Sequence, residues 1–496
     1  MATRRDQLHS YQFMIQRVVA ALVMRETDPA QSPFRRAAGA IFAGVMVATI
    51  LVAGFAVYGL MFPGGNMRWK TASDQDGGRP VVIVEEETGA TYVYMNGTLH
   101  PMENYTSAIL LGKVGASGGQ TSASRQNAGG PFYVSRDSLA GVQIPIGVRM
   151  GIPGAPDSLP SQKNLISGDW TLCSQPKRTV SGGEELETVM VVGARPSPYQ
   201  NVAGEGVILV EEAETTKKYL IYQSHRFEIL EQDDMFSAFG LDSHTPLKVS
   251  TAWLSALPVG QEIKALDLPD AGEPSDAKPD TTVGDIFRVQ TNEQYFVALK
   301  DELAVITEFQ ARLLQASTGS EFGELIPADP ATKSPSRELL PEVSEPDVKA
   351  PPESATMNME EPDSARATCA IFGNRGNPPV MVHSGSLSAF KGAGVVTELR
   401  GDEGTQLASR VVVPTGRGAL VWTSQSPDDR TAATLGLVTD TGKFYPLSSQ
   451  EVVSMLGYDL KTVKPGWMPS SLVGRLQAGP TLDRAAASDP VLPPPS

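Results

Sequence analysis

From Leu8 to Leu22, apolar side chains recur at three- and four-residue steps: Leu8, Tyr11, Ile15, Val18, Val19 and Leu22. That spacing predicts an amphipathic helix over Gln7–Met24 with these six residues on one face. The segment is too short to be a domain, so its apolar face needs a surface, either lipid or a partner protein. The next apolar stretch has no polar face. Ala37 to Phe62 carries no charge and as a helix reaches roughly 39 Å at about 1.5 Å per residue. A hydrocarbon core is about 30 Å thick, so the pattern predicts one transmembrane helix over 37–62. Inside it Ala40, Gly44 and Ala48 form a small-residue stripe of the kind that lets membrane helices approach closely.

Beyond the span the period changes to that of strands, and one pattern comes four times: a strand, a turn, a second short strand, then a helix. The first is Tyr92-Val-Tyr-Met, Asn96-Gly97, Thr98-Leu99 and a helix to Leu111-Gly112. Asn-Gly is a strong hairpin signal. The second is Tyr219-Leu-Ile-Tyr222, Phe227-Glu-Ile-Leu230 and Met235 to Gly240. The third is Tyr295-Phe-Val-Ala-Leu299, Leu303 to Ile306 and a helix to Leu314. The fourth is Leu437-Val-Thr439, Phe444-Tyr445 and a helix to Leu456-Gly457. Thr307 with Gln310, and Ser448 with Glu451, fit capping boxes that open the last two helices.

Tyr92, Tyr219, Tyr295 and Leu437 are 127, 76 and 142 residues apart, which is not the fixed period of a solenoid. The longer gaps hold β-type runs: Trp170-Thr-Leu-Cys173 and Thr188-Val-Met-Val-Val192 in one, Cys369-Ala-Ile-Phe372 and Arg410-Val-Val-Val413 in the other. The order is repeat, insert, repeat, then again repeat, insert, repeat. The expected fold is α+β: a single transmembrane helix, then an ectodomain with a central β core and four small α/β repeats in pseudo-twofold order.

The expected boundaries are 1–36 for the cytoplasmic N-terminal helix and 37–62 for the span. Repeat 1 takes 78–160, the first core segment 161–204 and repeat 2 205–268. Repeat 3 takes 281–320, a Pro/Glu-rich disordered linker 327–362, the second core segment 366–417, repeat 4 418–484 and a disordered tail 485–496. Pro269 to Asp280, acidic and Pro-bearing, reads as a second, short linker.

Charge orients this arrangement. The chain carries a formal net charge of −15, yet residues 1–36 hold six Arg and three acids, a net +3. Arg35 and Arg36 abut one end of the span, with Arg17 and Arg25 close by, and the acidic remainder lies on the other side. Positive charge favours the cytoplasmic side, so the expectation is a cytoplasmic N-terminus and an exported ectodomain in the cell (inner) membrane. Phe62-Pro63-Gly64-Gly65 offers no small-x-small cleavage site. An acidic ectodomain argues against nucleic acid as a partner. The only two cysteines, Cys173 and Cys369, both follow the span. In an exported region such a pair reads as a disulfide rather than as two unrelated buried thiols, and in the pseudo-twofold arrangement the two would meet across the core.

Catalytic signals are weak. There is no Gly-x-x-x-x-Gly-Lys-Ser/Thr phosphate loop and no His-Glu-x-x-His helix, and the five His (9, 100, 225, 244 and 383) lack ligand spacing. Gly115-Ala116-Ser117-Gly118-Gly119 matches the nucleophile-elbow pattern in letters only, without a strand–turn–helix context. Arg400-Gly401-Asp402 matches an adhesion tripeptide, and three residues match often by chance. No catalytic residue, cofactor or metal is expected.

Several stretches resemble the EccB family, membrane components of actinobacterial type VII (ESX) secretion. They are Arg4-Arg5-Asp6-Gln7-Leu8, Tyr11-Gln12-Phe13 and Asp28-Pro29; Gly151-Ile-Pro-Gly-Ala-Pro-Asp-Ser-Leu-Pro160 with Trp170 and Cys173; Gly284-Asp285-Ile-Phe-Arg-Val289; Leu437-Val-Thr-Asp-Thr-Gly442; Leu456-Gly457-Tyr458; and Gly479-Pro480-Thr-Leu-Asp483. The resemblance implies one membrane pass, four repeats around a β core, and a disulfide. It implies self-association and a complex with an EccC-like FtsK-type ATPase, EccD, EccE and the mycosin protease. The function so implied is a non-enzymatic structural component of the secretion complex. ATPase activity is ascribed to some relatives, so an ATP-hydrolysing subunit is one alternative, and a cell-wall-binding module is another. The chain departs from the family pattern in its long 327–362 linker and in a Gly/Ser-rich loop after the first repeat.

Overall fold

A computed structural model of the chain describes residues 3–24, 33–61, 68–75, 77–112, 131–140, 144–179, 181–197, 200–201, 206–230, 236, 239–264, 268–289, 293–319, 321–324, 337–338, 358–359, 366–375, 380–401, 404–425 and 431–491. Two long helices come first, Arg4–Met24 and Pro33–Met61. The second holds the apolar stretch Gly39–Tyr58, 20 residues of which none is buried inside the protein. At about 1.5 Å per residue that is roughly 30 Å, one hydrocarbon thickness. A third helix, Arg68–Gln75, leads into the sheet-rich domain. Its Trp69 is fully buried and meets Tyr94 edge-on at 5.2 Å.

The four repeats share one topology. Repeat 1 has strands Val81–Glu85 (β1), Thr91–Met95 (β2), Thr98–Pro101 (β3) and Phe132–Val134 (β4). The first three form an antiparallel meander, and β4 returns parallel to β1 after the helix Tyr105–Leu111. The first core segment then supplies Trp170–Arg178 (β5), Glu184–Val191 (β6) and Gln200–Asn201 (β7). Repeat 2 repeats the meander with Gly206–Glu212 (β8), Lys218–Tyr222 (β9), His225–Glu228 (β10) and the parallel return Leu247–Val249 (β11).

A two-stranded ribbon follows, Pro274–Ser275 (β12) and Thr281–Thr282 (β13). Repeat 3 has Ile286–Val289 (β14), Gln294–Ala298 (β15), Leu303–Ile306 (β16) and the parallel Phe322–Glu324 (β17). Arg337–Glu338 (β18) pairs parallel with β16, and Asn358–Met359 (β19) pairs parallel with β8. The second core segment supplies Ala367–Phe372 (β20), Val380–Gly385 (β21), Val395–Val396 (β22) and Arg410–Val412 (β23). Repeat 4 closes the series with Gly418–Ser424 (β24), Thr434–Thr439 (β25), Lys443–Pro446 (β26), the parallel Gly466–Pro469 (β27) and Gln477–Ala478 (β28). A fifth segment runs parallel to the third strand in every repeat: Ile146 beside Leu99, Val259 beside Arg226, β18 beside β16, and β28 beside β26.

Strands with apolar residues at consecutive positions need cover on both faces, and each sheet has it. In repeat 1, Val82 and Val93 pack with Ile109 and Leu110 of the helix. Ile83, Tyr94, Leu99 and Val134 close over Trp69 on the other face. In repeat 3, Ile286, Val297 and Ile306 face Ala311 and Leu314 of helix Glu308–Thr318. Phe287, Phe296 and Leu303 face Ala277.

The seven-stranded central sheet has the order β22-β23-β6-β5-β20-β21-β7. Its middle pair, β5 and β20, comes one from each core segment, and the outer strands are exchanged between segments. β23 of the second lies beside β6 of the first, while β7 of the first lies beside β21 of the second. That is the pseudo-twofold order expected from the sequence. The packing obeys it too. Repeats 1 and 4 share one core, repeats 2 and 3 share another, and repeats 2 and 4 both pack on one face of the central sheet.

Six expectations need correction. Pro269–Asp280 is no linker: Ala277 is fully buried, and the Asp276 amide donates to the Lys300 carbonyl at 2.7 Å. Its acidic, Pro-bearing composition hides a cover for a sheet face that is apolar on both sides. Repeat 3 extends past 320 to β17, and β18 and β19 fall inside the span read as a disordered linker, whose remaining residues lie outside those described.

The tail is ordered through Val491. Asp483 caps the helix Arg484–Ala487, Ala487 is fully buried, and the Val491 amide donates to the Arg149 carbonyl at 2.9 Å. The helix of repeat 4 is capped by Ser449, not by a Ser448–Glu451 box. The Thr307–Gln310 box is present as expected. The N-terminal helix starts at Arg4, three residues early, and the helix read over Met235–Gly240 falls largely outside the described residues.

Candidate functional site

Cys173 and Cys369 form a disulfide. They are direct cross-strand partners on β5 and β20, at the pseudo-twofold centre of the sheet, and both are fully buried. Val189, Val191, Ile371, Leu387 and Val412 surround them.

A second bond between the core segments was not foreseen from the sequence. Arg410 on β23 and Glu187 on β6 are 12% and 10% exposed and form a two-pronged pair, Nε to Oε1 at 3.2 Å and Nη2 to Oε2 at 3.1 Å. Arg410 Nη1 also donates to the carbonyls of Phe390 and Ala393 at 3.0 and 2.9 Å. Gln175 Nε2 donates to Glu187 at 2.8 Å, and Lys177 lies 3.6 Å away. Burial pushes the Glu187 carboxyl up, but the Arg410 and Gln175 hydrogen bonds and the charges of Arg410 and Lys177 outweigh it and hold it below the usual carboxylate range. The only sequence signal for this pair was a charge opening the apolar run Arg410-Val-Val-Val413.

The motifs of 151–160, 456–458 and 479–483, remote in sequence, meet where repeat 1 joins repeat 4. Asn104 caps helix 105–111 by accepting from the Ser107 amide at 2.9 Å, and its Nδ2 donates to the Ile152 carbonyl at 2.8 Å. The Ile152 amide returns a bond to Ser107 Oγ at 2.9 Å. The Tyr458 hydroxyl donates to the Pro160 carbonyl at 2.9 Å, and burial pushes its pKa up. Gly151 has φ +140, and a Cβ there would come within 2.7 Å of Glu103 Cβ, so only glycine fits. Pro480 lies against Gly154. An open cleft of about 450 Å³ borders this joint, lined by Leu111, Ser449, Met455, Asp483 and Arg484 among others. Asp483 is held below its ordinary pKa by the Ser448 hydroxyl and the amides of Ala485 and Ala486, against a small upward push from burial. Its carboxylate is a helix cap in full use.

The predicted helix faces are open. Leu8, Tyr11, Ile15, Val18 and Leu22 are 40–78% exposed and Val19 is half-buried. Phe13 and Met14 are exposed as well, so apolar surface extends beyond the predicted stripe. Ala20, on the opposite side, is buried, and the helix also touches the apolar helix. Ala40, Gly44 and Ala48 are exposed, and a Cβ added at Gly44 would meet nothing within 4 Å. Among the described residues no group of three His, Cys, Asp or Glu side chains is placed to hold a metal. Ser117 lies outside the described residues. Arg400 reaches Glu214 at 3.4 Å, and Asp402 lies outside the described residues.

Comparison with known proteins gives one consistent picture. The family model for the "Type VII secretion system ESX-1, transport TM domain B", EccB, matches residues 1–491. The ESX-3 secretion system ATPase EccB3 of Mycobacterium tuberculosis (strain ATCC 25618 / H37Rv) is 26% identical over 522 residues, covering 97% of this chain and 88% of that protein. The ESX-1 secretion system ATPase EccB1 of Mycolicibacterium smegmatis (strain MKD8) is 26% identical over 511 residues, covering 98% and 94%. Among solved structures, a chain of the EccB3 dimer from the ESX-3 core complex has TM-score 0.58 at 22% identity, covering 82% of this chain and all of that one. A chain of the intact ESX-5 inner membrane complex has TM-score 0.57 at 22% identity, covering 100% and 97%.

Proposed function

This chain belongs to the EccB family of type VII secretion components, and from that premise we propose that it is a non-enzymatic structural subunit of an ESX inner-membrane complex. One observation carries the reading. Three of the stretches that resemble the family, 151–160, 456–458 and 479–483, converge on a packing joint built from a helix cap, backbone carbonyls and a buried hydroxyl. Such a joint sets the angle between repeats 1 and 4 and so the shape of the surface the ectodomain offers to neighbours. Trp69 links that shape to the membrane by locking the segment after the span under the first sheet.

The proposed partners are an EccC-like FtsK-type ATPase, EccD, EccE, a mycosin protease and further copies of this chain. The N-terminal helix meets cytoplasmic partners, the Ala40/Gly44/Ala48 stripe meets other membrane helices, and the repeats meet neighbours outside. Burying a large apolar side chain is worth about 1.5–3 kcal/mol, so replacing Tyr11, Ile15 and Leu22 together with Ser should detach the cytoplasmic subunits. After extraction in mild detergent, the wild type should migrate on native gels as a large assembly. The triple variant should still insert and keep its disulfide but lose those subunits, and secretion should stop. An unchanged assembly with normal secretion would refute the docking role.

A second reading, ATP hydrolysis, has the names of the relatives in its favour. The purified chain should turn over no more ATP than a mock preparation, and turnover abolished by a point substitution in it would overturn the scaffold reading.

The N-terminus is proposed to be cytoplasmic and the ectodomain external. Both native cysteines are bonded, so an impermeant thiol reagent on whole cells reports only engineered sites. It should label Thr71→Cys, an exposed position, and not Thr3→Cys. The reverse pattern would invert the topology.

A further inference from the structure

Two arginines at the contact between repeats 2 and 4 carry charges that no other side chain among the described residues answers. Arg226 lies on β10, and Arg475 follows the short helix Ser470–Val473. The Nε atom of each is buried and has no hydrogen-bond partner. Among the described residues neither arginine makes an ion pair, although the chain has 56 acidic residues against 41 basic ones. The same-face carboxylate along β10, Glu228, is taken by Lys217 at 2.7 Å.

The backbones that present the two arginines are fixed. Ser471 Oγ donates to the Ala256 carbonyl at 2.8 Å and joins the repeats directly. Two residues after Ala256, the Pro258 carbonyl accepts from the Arg226 amide at 2.9 Å, and the Gly260 amide donates to the Arg226 carbonyl at 2.7 Å. On the other side the Ala408 amide donates to the Arg475 carbonyl at 2.8 Å. Burial, and then the nearby Arg226 charge, lower the pKa of Arg475, yet an arginine stays protonated at neutral pH. Both side chains are partly exposed, so an ion can reach them. The neighbouring Gln261 has a buried Oε1 without a partner, and turning that amide over would present its N–H groups instead.

We propose that Arg226 and Arg475 form a binding site for a phosphate-class oxyanion where repeat 2 meets repeat 4. Two adjacent like charges left partly buried are unfavourable alone. A single guanidinium fork satisfies both oxygens of a carboxylate, whereas a phosphate group has oxygens enough for two forks and charge enough for two cations. Free phosphate and pyrophosphate meet both demands; the phosphodiester head group of an anionic phospholipid offers the same phosphoryl oxygens with a single charge. The bound ion would tie the two repeats that pack on the central sheet.

The test uses the full chain in neutral detergent at matched ionic strength. Inorganic phosphate and pyrophosphate are titrated by calorimetry, and thermal unfolding is followed in parallel, for the wild type, Arg226→Gln and Arg475→Gln. Binding should weaken tenfold or more in each variant. Without phosphate, Arg475→Gln should unfold at or above the wild-type temperature because a like-charge contact is gone; with phosphate it should unfold below it. Phosphatidylglycerol in the micelles, set against phosphatidylcholine, separates the sources. An arginine-dependent shift with that lipid alone assigns the site to a lipid head group. Three results would overturn the proposal: no arginine-dependent binding of any of these anions, equal loss of stability in the variants with and without phosphate, or a response only to a Glu-rich peptide.

Discussion

Replacing Arg410 with Ala should lower the stability of the central sheet by about 3–5 kcal/mol, because it strands the buried Glu187 carboxylate. The loss should show as faster amide exchange along β5, β6 and β23, the strands this pair ties together. pH gives the effect a sign. In the wild type the folded pKa of Glu187 lies below its ordinary value. The pair's contribution is therefore complete above the unfolded Glu pKa of about 4.3 and fades as pH falls through the lower folded value. Without Arg410, burial becomes the dominant influence and raises the folded pKa. The variant should then regain stability relative to the wild type as the medium is acidified from neutrality. Combining Arg410→Met with Glu187→Leu should recover much of the loss, since two apolar side chains leave no buried charge. A deficit that ignores pH and persists in the double variant would mean that packing, not charge, is what Arg410 supplies.

Removing the disulfide by Cys173→Ala with Cys369→Ala should cost about 5 kcal/mol in the chain-entropy account, which depends on the length of chain enclosed. Here the two cysteines are 196 residues apart, and the enclosed loop contains repeats 2 and 3 entirely. The bond acts mainly on the unfolded chain, so the variant should keep the wild-type fold. In urea its midpoint should fall and its denaturant dependence should steepen as the freed chain expands. A midpoint unchanged from wild type, with exchange along β5 and β20 also unchanged, would show that the cross-strand packing around the pair suffices.

The two bonds differ in how far the sequence announced them. The disulfide was legible from the count of cysteines and their place after the span. The Glu187–Arg410 pair joins positions more than two hundred residues apart through a parallel contact between β6 and β23. No local period marks such a contact, because the exchange of outer strands between core segments is a tertiary event. The same holds for Pro269–Asp280. Its composition is that of a loop, and its role as the cover of a sheet face follows only from Phe287, Phe296 and Leu303 needing one. The expected tail differs for a related reason: Asp483 and the alanines after it are a short helix signal, but docking on helix Tyr105–Leu111 and on Arg149–Gly151 keeps that helix in place.

Local chemistry by itself determined the uncharged span, the four strand–turn–strand–helix units, their paired order around two inserts, and the cap at Thr307. Each of these rests on spacing within a few turns or strands, where side-chain period and backbone preference act directly. The tertiary structure decided which repeats share a core, how the two inserts exchange strands, and where the stretches at 151–160, 456–458 and 479–483 meet. Those outcomes depend on desolvating apolar faces and satisfying buried polar groups between segments far apart in the chain, and neither quantity exists until the segments meet.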